Sequence, residues 1–339
     1  MKTLIWTASA VAVAAAAGLH LTMGPAGDTS LLLAIIFWTA VTQGVIALCA
    51  AAELAEGDWI KPVKDSLLKI WPLLAMFPVA FLVYGLDLHH YKWHHHQTAW
   101  MEPRLFLWRN VAALALTFVA GASYANASMK KSPRTGVFAV VYLFFFVVTQ
   151  SLVGMDWVMS FEYPFISTML PALFFIESIF AGIALTVLFT AVLVMKGRTD
   201  KFATMKDAAT LMFGFSLLWA GLFFAEYLTI WYANIPEEVA FFHKRVNDHF
   251  ALGLMVYSFA GYFLLPFISL IPSRSRSSPA WLLVVVTSIF SALLVRKLFF
   301  LVPVSNVSFP LTTVHWLLLG APVVLFAIAA LKTELTAES

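Results

Sequence analysis

Ionisable side chains inside long apolar stretches are the residues of this sequence best placed to do chemistry. Glu177, Glu226 and Asp248 each lie in such a stretch, and Arg296 lies in another. Charged groups are costly inside an apolar segment, so each of them is a candidate for function. A carboxyl group removed from water has a perturbed proton affinity and can exchange protons near neutral pH.

The depths of these four groups follow from the helical rise of about 1.5 Å per residue. Asp248 is expected about 7 Å, Glu226 about 12 Å and Glu177 about 18 Å from the ends of their predicted helices. Arg296 is expected about 9 Å from its end. If the helix faces converge, the carboxylates form a descending series with one basic partner. The alternative is that Glu177 or Glu226 only joins helices, either neutral or paired with Arg296 or a backbone carbonyl.

Histidines are concentrated in the interval 87–104, which contains Asp87, His89 and the run 94–96. Such a run could bind a metal ion, but it has neither cysteine or acidic partners nor the i, i+4 spacing of a helical site. We therefore predict no metal site, and docking on a partner is the favoured role. The single cysteine, Cys49, excludes an internal disulfide and any multi-cysteine iron–sulfur or zinc site.

The elements that position these groups are membrane helices. The chain has 339 residues, of which 61% are hydrophobic and only 12% charged, and its mean hydropathy is +0.87. A soluble domain carries about 25% charged residues, so lipid must be the solvent for much of the surface. We predict an all-α integral membrane protein that forms one transmembrane domain over residues 1–339.

Ten stretches are long enough to span a membrane, which takes roughly 20 apolar residues. A signal peptide is the alternative reading of the first stretch, but its apolar run is long and lacks a clean cleavage site, so we expect it to be retained. The predicted spans are 4–23, 30–53, 66–86, 105–127, 136–155, 165–195, 208–233, 246–271, 280–302 and 311–332.

The basic residues predict the orientation of these spans. Fourteen Lys and Arg fall on the side of the two termini and seven on the other side, which together are the 21 of the chain. Because basic residues are enriched in cytoplasmic loops, both termini are expected in the cytoplasm. The His-rich interval 87–104 and the interval 234–245 are then expected to face outwards.

Two segments resemble a known family. Residues 224–238 read FAEYLTIWYANIPEE and residues 151–160 read SLVGMDWVMS. Both resemble the ActF-type membrane subunit of bacterial alternative complex III, in the polysulfide-reductase-like (NrfD-like) family, and so does LFLWR at 105–109. The family usually has glutamine where Glu226 stands, so a titratable role for Glu226 is not implied by the resemblance.

The resemblance implies two four-helix bundles, at 30–155 and 165–302, with the helices 4–23 and 311–332 flanking them. It implies a bacterial inner-membrane complex with a homologous membrane subunit, an iron–sulfur protein, and multihaem or monohaem cytochromes c. Those partners carry the iron–sulfur clusters and haem c, while this subunit binds no covalent cofactor and no nucleic acid. Quinol or menaquinol is the expected substrate.

This resemblance gives the leading functional hypothesis: a membrane subunit of a respiratory quinol:cytochrome c oxidoreductase that contributes to quinol interaction, to proton translocation, or to both. The alternatives are a secondary transporter and a purely structural anchor for extramembrane electron carriers. The charge partners expected for the candidate proton groups are Arg109, Arg245 and Arg296. The candidate quinol and proton residues are Asp87, His89, Asp156, Glu177, Glu226, Asp248 and His249.

Overall fold

The protein is helical throughout the part that the structure describes. A computed structural model describes residues 2–23, 25–96, 98–301 and 309–336. It is 87% helical, with no β-strand in those ranges. The prediction of an all-α chain is confirmed.

Fourteen α-helices make up the described chain. They are α1 (Lys2–Met23), α2 (Pro25–Leu54), α3 (Lys61–Leu68), α4 (Met76–Tyr84), α5 (Pro103–Met129), α6 (Thr135–Leu152), α7 (Leu170–Met195), α8 (Phe202–Ala233), α9 (Pro236–Val246), α10 (His249–Phe259), α11 (Leu265–Leu270), α12 (Ser273–Arg276), α13 (Pro279–Leu301) and α14 (Phe309–Thr336). Two π-helical segments, Val153–Val158 and Ala260–Leu264, extend α6 and join α10 to α11. We call the end of the molecule with the loop 85–102 the His-rich end.

Within the described ranges, nine helical stretches are long and apolar enough to cross a membrane. A tenth span consists of two pieces, Asp58–Leu68 and Trp71–Tyr84, which meet at an angle of 55°. The protein is therefore a multi-pass membrane protein of about ten spans. The third span, predicted as one helix over 66–86, is broken just before Pro72, whose missing N–H removes a backbone donor that a continuous helix needs.

The interval between the seventh and eighth spans was predicted to be a loop, and this is wrong: it contains the helix α9. Pro236 occupies the first turn, where its missing N–H costs nothing, and Glu237 and Glu238 follow it there. Basic residues fill the last turn, so both ends complement the helix dipole. Asn234, in the left-handed conformation at φ 48°, ends α8 and turns the chain into α9.

The contacts between helices place α2 and α7 at the centre. The α2 span is buried along its whole apolar window, and it packs against α4, α6, α7 and α14. In turn, α7 packs against α8 and α13. We call α2 to α6 the first bundle and α7 to α13 the second bundle; α1 packs on α14 and on α2.

Two glycines bring the central helices into backbone contact. A Cβ atom on Gly44 of α2 would overlap the Ser178 carbonyl of α7, and one on Gly182 would overlap the Gly44 backbone. The Ser178 hydroxyl donates a hydrogen bond of 2.7 Å to the Ala40 carbonyl across the same contact. Small residues at such a crossing allow the close packing that drives helix association in membranes.

Ion pairs tie the helices together at the end opposite the His-rich end. Glu334 of α14 accepts a hydrogen bond from Ser66 of α3 and lies 3.8 Å from the Lys201 ammonium. Arg198 bonds the Asp200 carboxylate at 3.0 Å. The loop between α7 and α8 is thus fastened to the last helix.

Substitution of Gly182 by Ala is expected to destabilise the protein by about 1–3 kcal/mol, because the added methyl group overpacks the crossing of α2 and α7. Thermal denaturation of the purified protein in lipid nanodiscs would measure this. The control is Gly221→Ala on α8, where a Cβ atom meets nothing within 4 Å. Equal stability of the two variants would contradict the close contact.

Candidate functional site

Four ionisable side chains meet inside the second bundle. Glu177 of α7, Glu226 of α8, and Arg296 and Lys297 of α13 form what we call the ion network. All four are buried, with relative exposures of 0%, 4%, 1% and 1%. Each lies in a helix that qualifies as a membrane span, so the network is built where water is scarce.

Glu177 is the most strongly held member of the ion network. Its Oε1 atom accepts hydrogen bonds from Arg296 Nε at 2.5 Å and from Trp219 Nε1 at 3.1 Å. Its Oε2 atom accepts a bond from the Lys297 ammonium. Both carboxylate oxygens therefore have charged donors, which a buried carboxylate requires to stay ionised.

Glu226 has fewer and longer contacts. Its Oε1 atom accepts a hydrogen bond of 3.2 Å from the Ser167 hydroxyl. Its Oε2 atom lies 3.6 Å from Arg296 Nη2, which is longer than a hydrogen bond. Protonation of Glu226 therefore disrupts fewer hydrogen bonds and ion pairs than protonation of Glu177 would.

Aromatic rings surround the two cations and keep polar solvent away from them. The Arg296 guanidinium lies 4.9 Å from the Phe300 ring centroid and 5.4 Å from that of Trp219. The Lys297 ammonium lies 3.6 Å from the Phe174 centroid. Cation–π contacts of this kind attract the two positive charges electrostatically.

Charge counting shows what the ion network can do. With all four groups ionised, two negative and two positive charges cancel. One added proton leaves a net charge of +1, and Glu226 is the group that accepts it at the lowest loss of contacts. The arrangement can therefore hold and release a proton without dismantling the pair of Glu177 with its two bases.

The predicted descending series is wrong, because the two glutamates lie at one level. Glu177 is about two turns from the start of α7 at Leu170, and Glu226 is about two turns from the end of α8 at Ala233. Each is thus about 10 Å from the His-rich end of its helix. The error came from starting the sixth span at residue 165, although α7 begins five residues later.

One predicted member of the series is missing and one unpredicted member is present. Asp248 does not join the network: it caps α10, with Oδ1 accepting hydrogen bonds from Phe250 N and Ala251 N. Lys297 was counted, with Arg296, among the seven basic residues of the outward side, yet it is buried beside Arg296. Its signal in the sequence was its position in the same apolar stretch, several residues before Leu301.

Asp156 is at the centre of a smaller site in the first bundle. Its Oδ2 atom accepts hydrogen bonds of 2.7 Å from Arg109 Nε and 2.9 Å from Asn110 Nδ2. Trp157 Nε1 donates to the Asn110 side-chain oxygen at 2.8 Å. Asp156 lies in the π-helical segment Val153–Val158, a deformation common at functional sites. The pairing of Arg109 with Asp156 unites two residues that the sequence had only marked separately.

Arg245 occupies a third buried site, between α9 and the end of α13. Its guanidinium bonds Glu162 at 2.5 Å and the carbonyls of Phe299 and Phe300 at 3.2 Å each. The last carbonyls of a helix lack partners within the helix and carry partial negative charge. Arg245 thus caps α13 only a turn away from Arg296, and Glu162 is a partner that sequence reasoning missed.

The remaining candidates lie on exposed surface at the His-rich end and join none of these sites. Asp87 accepts a hydrogen bond from the His89 backbone N–H within its own turn. Asp87, His89 and His249 are all exposed. Partial burial lowers the pKa of His94, and the neighbouring His89 and His95 lower it further. His94 is therefore mostly neutral at pH 7.

Buried hydroxyl groups connect this loop to the first bundle. Tyr84 Oη lies 2.7 Å from His90 Nε2 and donates a 2.9 Å hydrogen bond to Tyr91 Oη, which in turn donates to the Trp157 carbonyl at 3.1 Å. In the described ranges no group of three or more His, Cys, Asp or Glu is arranged to hold a metal ion.

No protein-family model and no curated protein matches the chain. The fold and the ion network together define a multi-pass, all-α membrane protein with a charge-balanced group of ionisable residues buried in its second bundle.

Replacing Glu177 by Gln is expected to destabilise the protein by about 3–5 kcal/mol, because it leaves Lys297 buried without a carboxylate and Arg296 with only its 3.6 Å contact to Glu226. The matched control is Glu226→Gln, which loses only one long contact and should cost much less. Thermal denaturation in nanodiscs compares the two.

A second substitution distinguishes charge from packing. Adding Lys297→Met to Glu177→Gln removes one of the stranded charges and should recover part of the lost stability. If Glu226→Gln proves as destabilising as Glu177→Gln, the unequal partnership described for the two glutamates is wrong.

Proposed function

We propose that the chain is a membrane subunit of a bacterial respiratory quinol:electron-acceptor oxidoreductase of the alternative complex III type. In this role it transfers protons through the ion network and anchors extramembrane iron–sulfur and haem c subunits at the His-rich end. The sequence resemblance at 151–160 and 224–238 supports the family. The arrangement of Glu177, Glu226, Arg296 and Lys297 is the single observation that carries the proton-transfer role.

Glu226 is the group proposed to take up and release the proton. Its contacts to Ser167 and Arg296 are the weakest in the network. Proton uptake weakens its attraction to Arg296, whose Nε–H already bonds Glu177. The guanidinium can then bond Glu177 alone, and the network carries a net charge of +1 until the proton is released.

The direction of transfer is proposed from the charge bias of the loops. The preference of basic residues for the cytoplasm puts the His-rich end outside. Oxidation of a quinol releases two protons, which need an acceptor and a route to that side. The glutamates lie about 10 Å from the His-rich ends of α7 and α8, a depth that suits the first steps of such a route.

The surface at the His-rich end supports the anchoring role. Arg109–Asp156 and Arg245–Glu162 hold both ends of the segment Val153–Glu162. Because this segment is held in place, the loop 85–102 and α9 form a fixed surface on which a partner can dock. A homologous membrane subunit, an iron–sulfur protein and cytochromes c are the partners proposed, with quinol or menaquinol as the substrate of the assembly.

The two alternative functions have weaker support. A transporter binds its substrate at paired broken helices near the midplane, whereas the bent span Asp58–Tyr84 lies in the first bundle and the ion network in the second. A purely structural anchor has no need of a buried glutamate that is as loosely paired as Glu226.

The test is Glu226→Gln in the assembled complex, reconstituted in proteoliposomes. We expect the complex to assemble, and quinol turnover or proton release to fall by about 100-fold, the effect of losing one positioned proton-transfer group. Glu237→Gln is the matched control, because Glu237 is an exposed glutamate on α9 outside the network.

Three results would contradict the proposal. Unchanged turnover and proton stoichiometry in Glu226→Gln would show that the ion network serves only helix packing, and would favour the purely structural anchor. Purification of the chain without haem- or iron–sulfur-bearing partners would favour the transporter. An optical spectrum of the purified assembly that lacks c-type haem would argue against the complex itself.

A further inference from the structure

A groove of about 290 Å³ lies between the last turns of α8 and the helix α9. Its lining residues are Tyr227, Ile230, Trp231, Asn234, Val239, Phe242, His243 and Val246. None of them is Asp, Glu, Lys or Arg, so the groove favours an uncharged occupant. It belongs to neither of the ion-paired sites at Asp156 and Arg245.

The groove opens sideways, from the span of α8. Tyr227 and Trp231 are 46% and 63% exposed, and both lie within the membrane-spanning stretch Thr199–Ala233. A molecule dissolved in the bilayer can therefore reach the groove without entering water. This limits the occupant to a membrane-soluble compound.

Three aromatic side chains give the groove a preference for a flat ring. Tyr227 and Phe242 meet edge to face with their centroids 6.0 Å apart, and Trp231 borders the same space. Offset and edge-to-face contacts between aromatic rings are worth more than burial alone. An acyl chain can be buried there, but it makes no ring–ring contact of this kind.

Two polar side chains lie at the interfacial end of the groove. His243 of α9 and Asn234 at the end of α8 make no side-chain hydrogen bond to any part of the chain that the structure describes. Imidazole and amide groups can each bond a hydroxyl or a carbonyl. A ring with a hydroxyl group therefore finds both an apolar slot and a hydrogen-bonding partner.

The groove is also close to the ion network. Its floor is Ile230, only 4% exposed, and Glu226 is one helical turn away on the same face of α8. No other site in the described chain combines access from the bilayer, aromatic walls and free polar groups with this proximity.

We propose that this groove binds the ring of a membrane-soluble hydroxyaromatic compound, a quinol or its quinone, with His243 as the hydrogen-bonding partner of the ring oxygen. The assignment rests on the proposed function for the identity of the ligand. It goes beyond that function in placing a quinol site on this subunit, at the junction of α8 and α9.

The test uses 2-heptyl-4-hydroxyquinoline N-oxide, a fluorescent quinol analogue, titrated against the purified membrane assembly in nanodiscs. Val246→Trp fills the groove from an exposed position and is expected to weaken binding by about tenfold or more, since it blocks the slot. His243→Phe keeps the shape and should weaken binding by about three- to tenfold, the value of one hydrogen bond. The matched control is Val256→Trp, an equal change on an exposed face of α10, which should leave the affinity unchanged.

Two results would overturn the assignment: equal affinity in all three variants, or displacement of the probe by phospholipid alone, which would make the groove a lipid site. Binding is measured without turnover, so the outcome is separate from that of the proposed function. If the probe binds in a way that depends on the groove, but the preparation does not oxidise quinol, the assignment of the groove is kept and the proposed function is rejected.

Discussion

Burial of four charges among membrane helices is the constraint on which the second bundle depends. Removing one partner of a buried ion pair leaves an uncompensated charge that costs several kcal/mol, and no water is at hand to replace it. Helices α7, α8 and α13 must therefore meet in the one register that brings Glu177 to Arg296 and Lys297. Apolar packing alone would tolerate sliding, since lipid chains solvate leucine as well as a neighbouring helix does.

The same demand for partners organises the His-rich end. Arg109 and Arg245, from different bundles, both bond carboxylates on Val153–Glu162, so this one segment joins the two halves. Arg245 also bonds the carbonyl of Phe300, whose ring lies 4.9 Å from Arg296. The contacts of the His-rich end and those of the ion network therefore meet at Phe300.

Sequence alone predicted the spans well, because the length of an apolar stretch reports directly on the thickness of a bilayer. It also selected Glu177, Glu226 and Arg296, since charge inside such a stretch is conspicuous. It could not select their partners. Lys297 resembled a boundary residue, and Glu162 lay in an interval that reads as a loop. Which helix faces meet is decided by contacts such as that of Gly44 with Gly182, far apart in the chain, and no local pattern encodes them.

Helix α8 links the two sites proposed for this subunit. Glu226 faces Arg296 inside the bundle, and Ile230, one turn on, forms the floor of the groove. A rigid helix holds these positions at a fixed separation of about 6 Å along its axis. A ligand in the groove would therefore lie at a constant distance from Glu226, the carboxyl proposed to exchange protons. That arrangement suits a subunit that couples a membrane-soluble reductant to proton release, and it differs from a transporter, whose coupling requires the site itself to change its access.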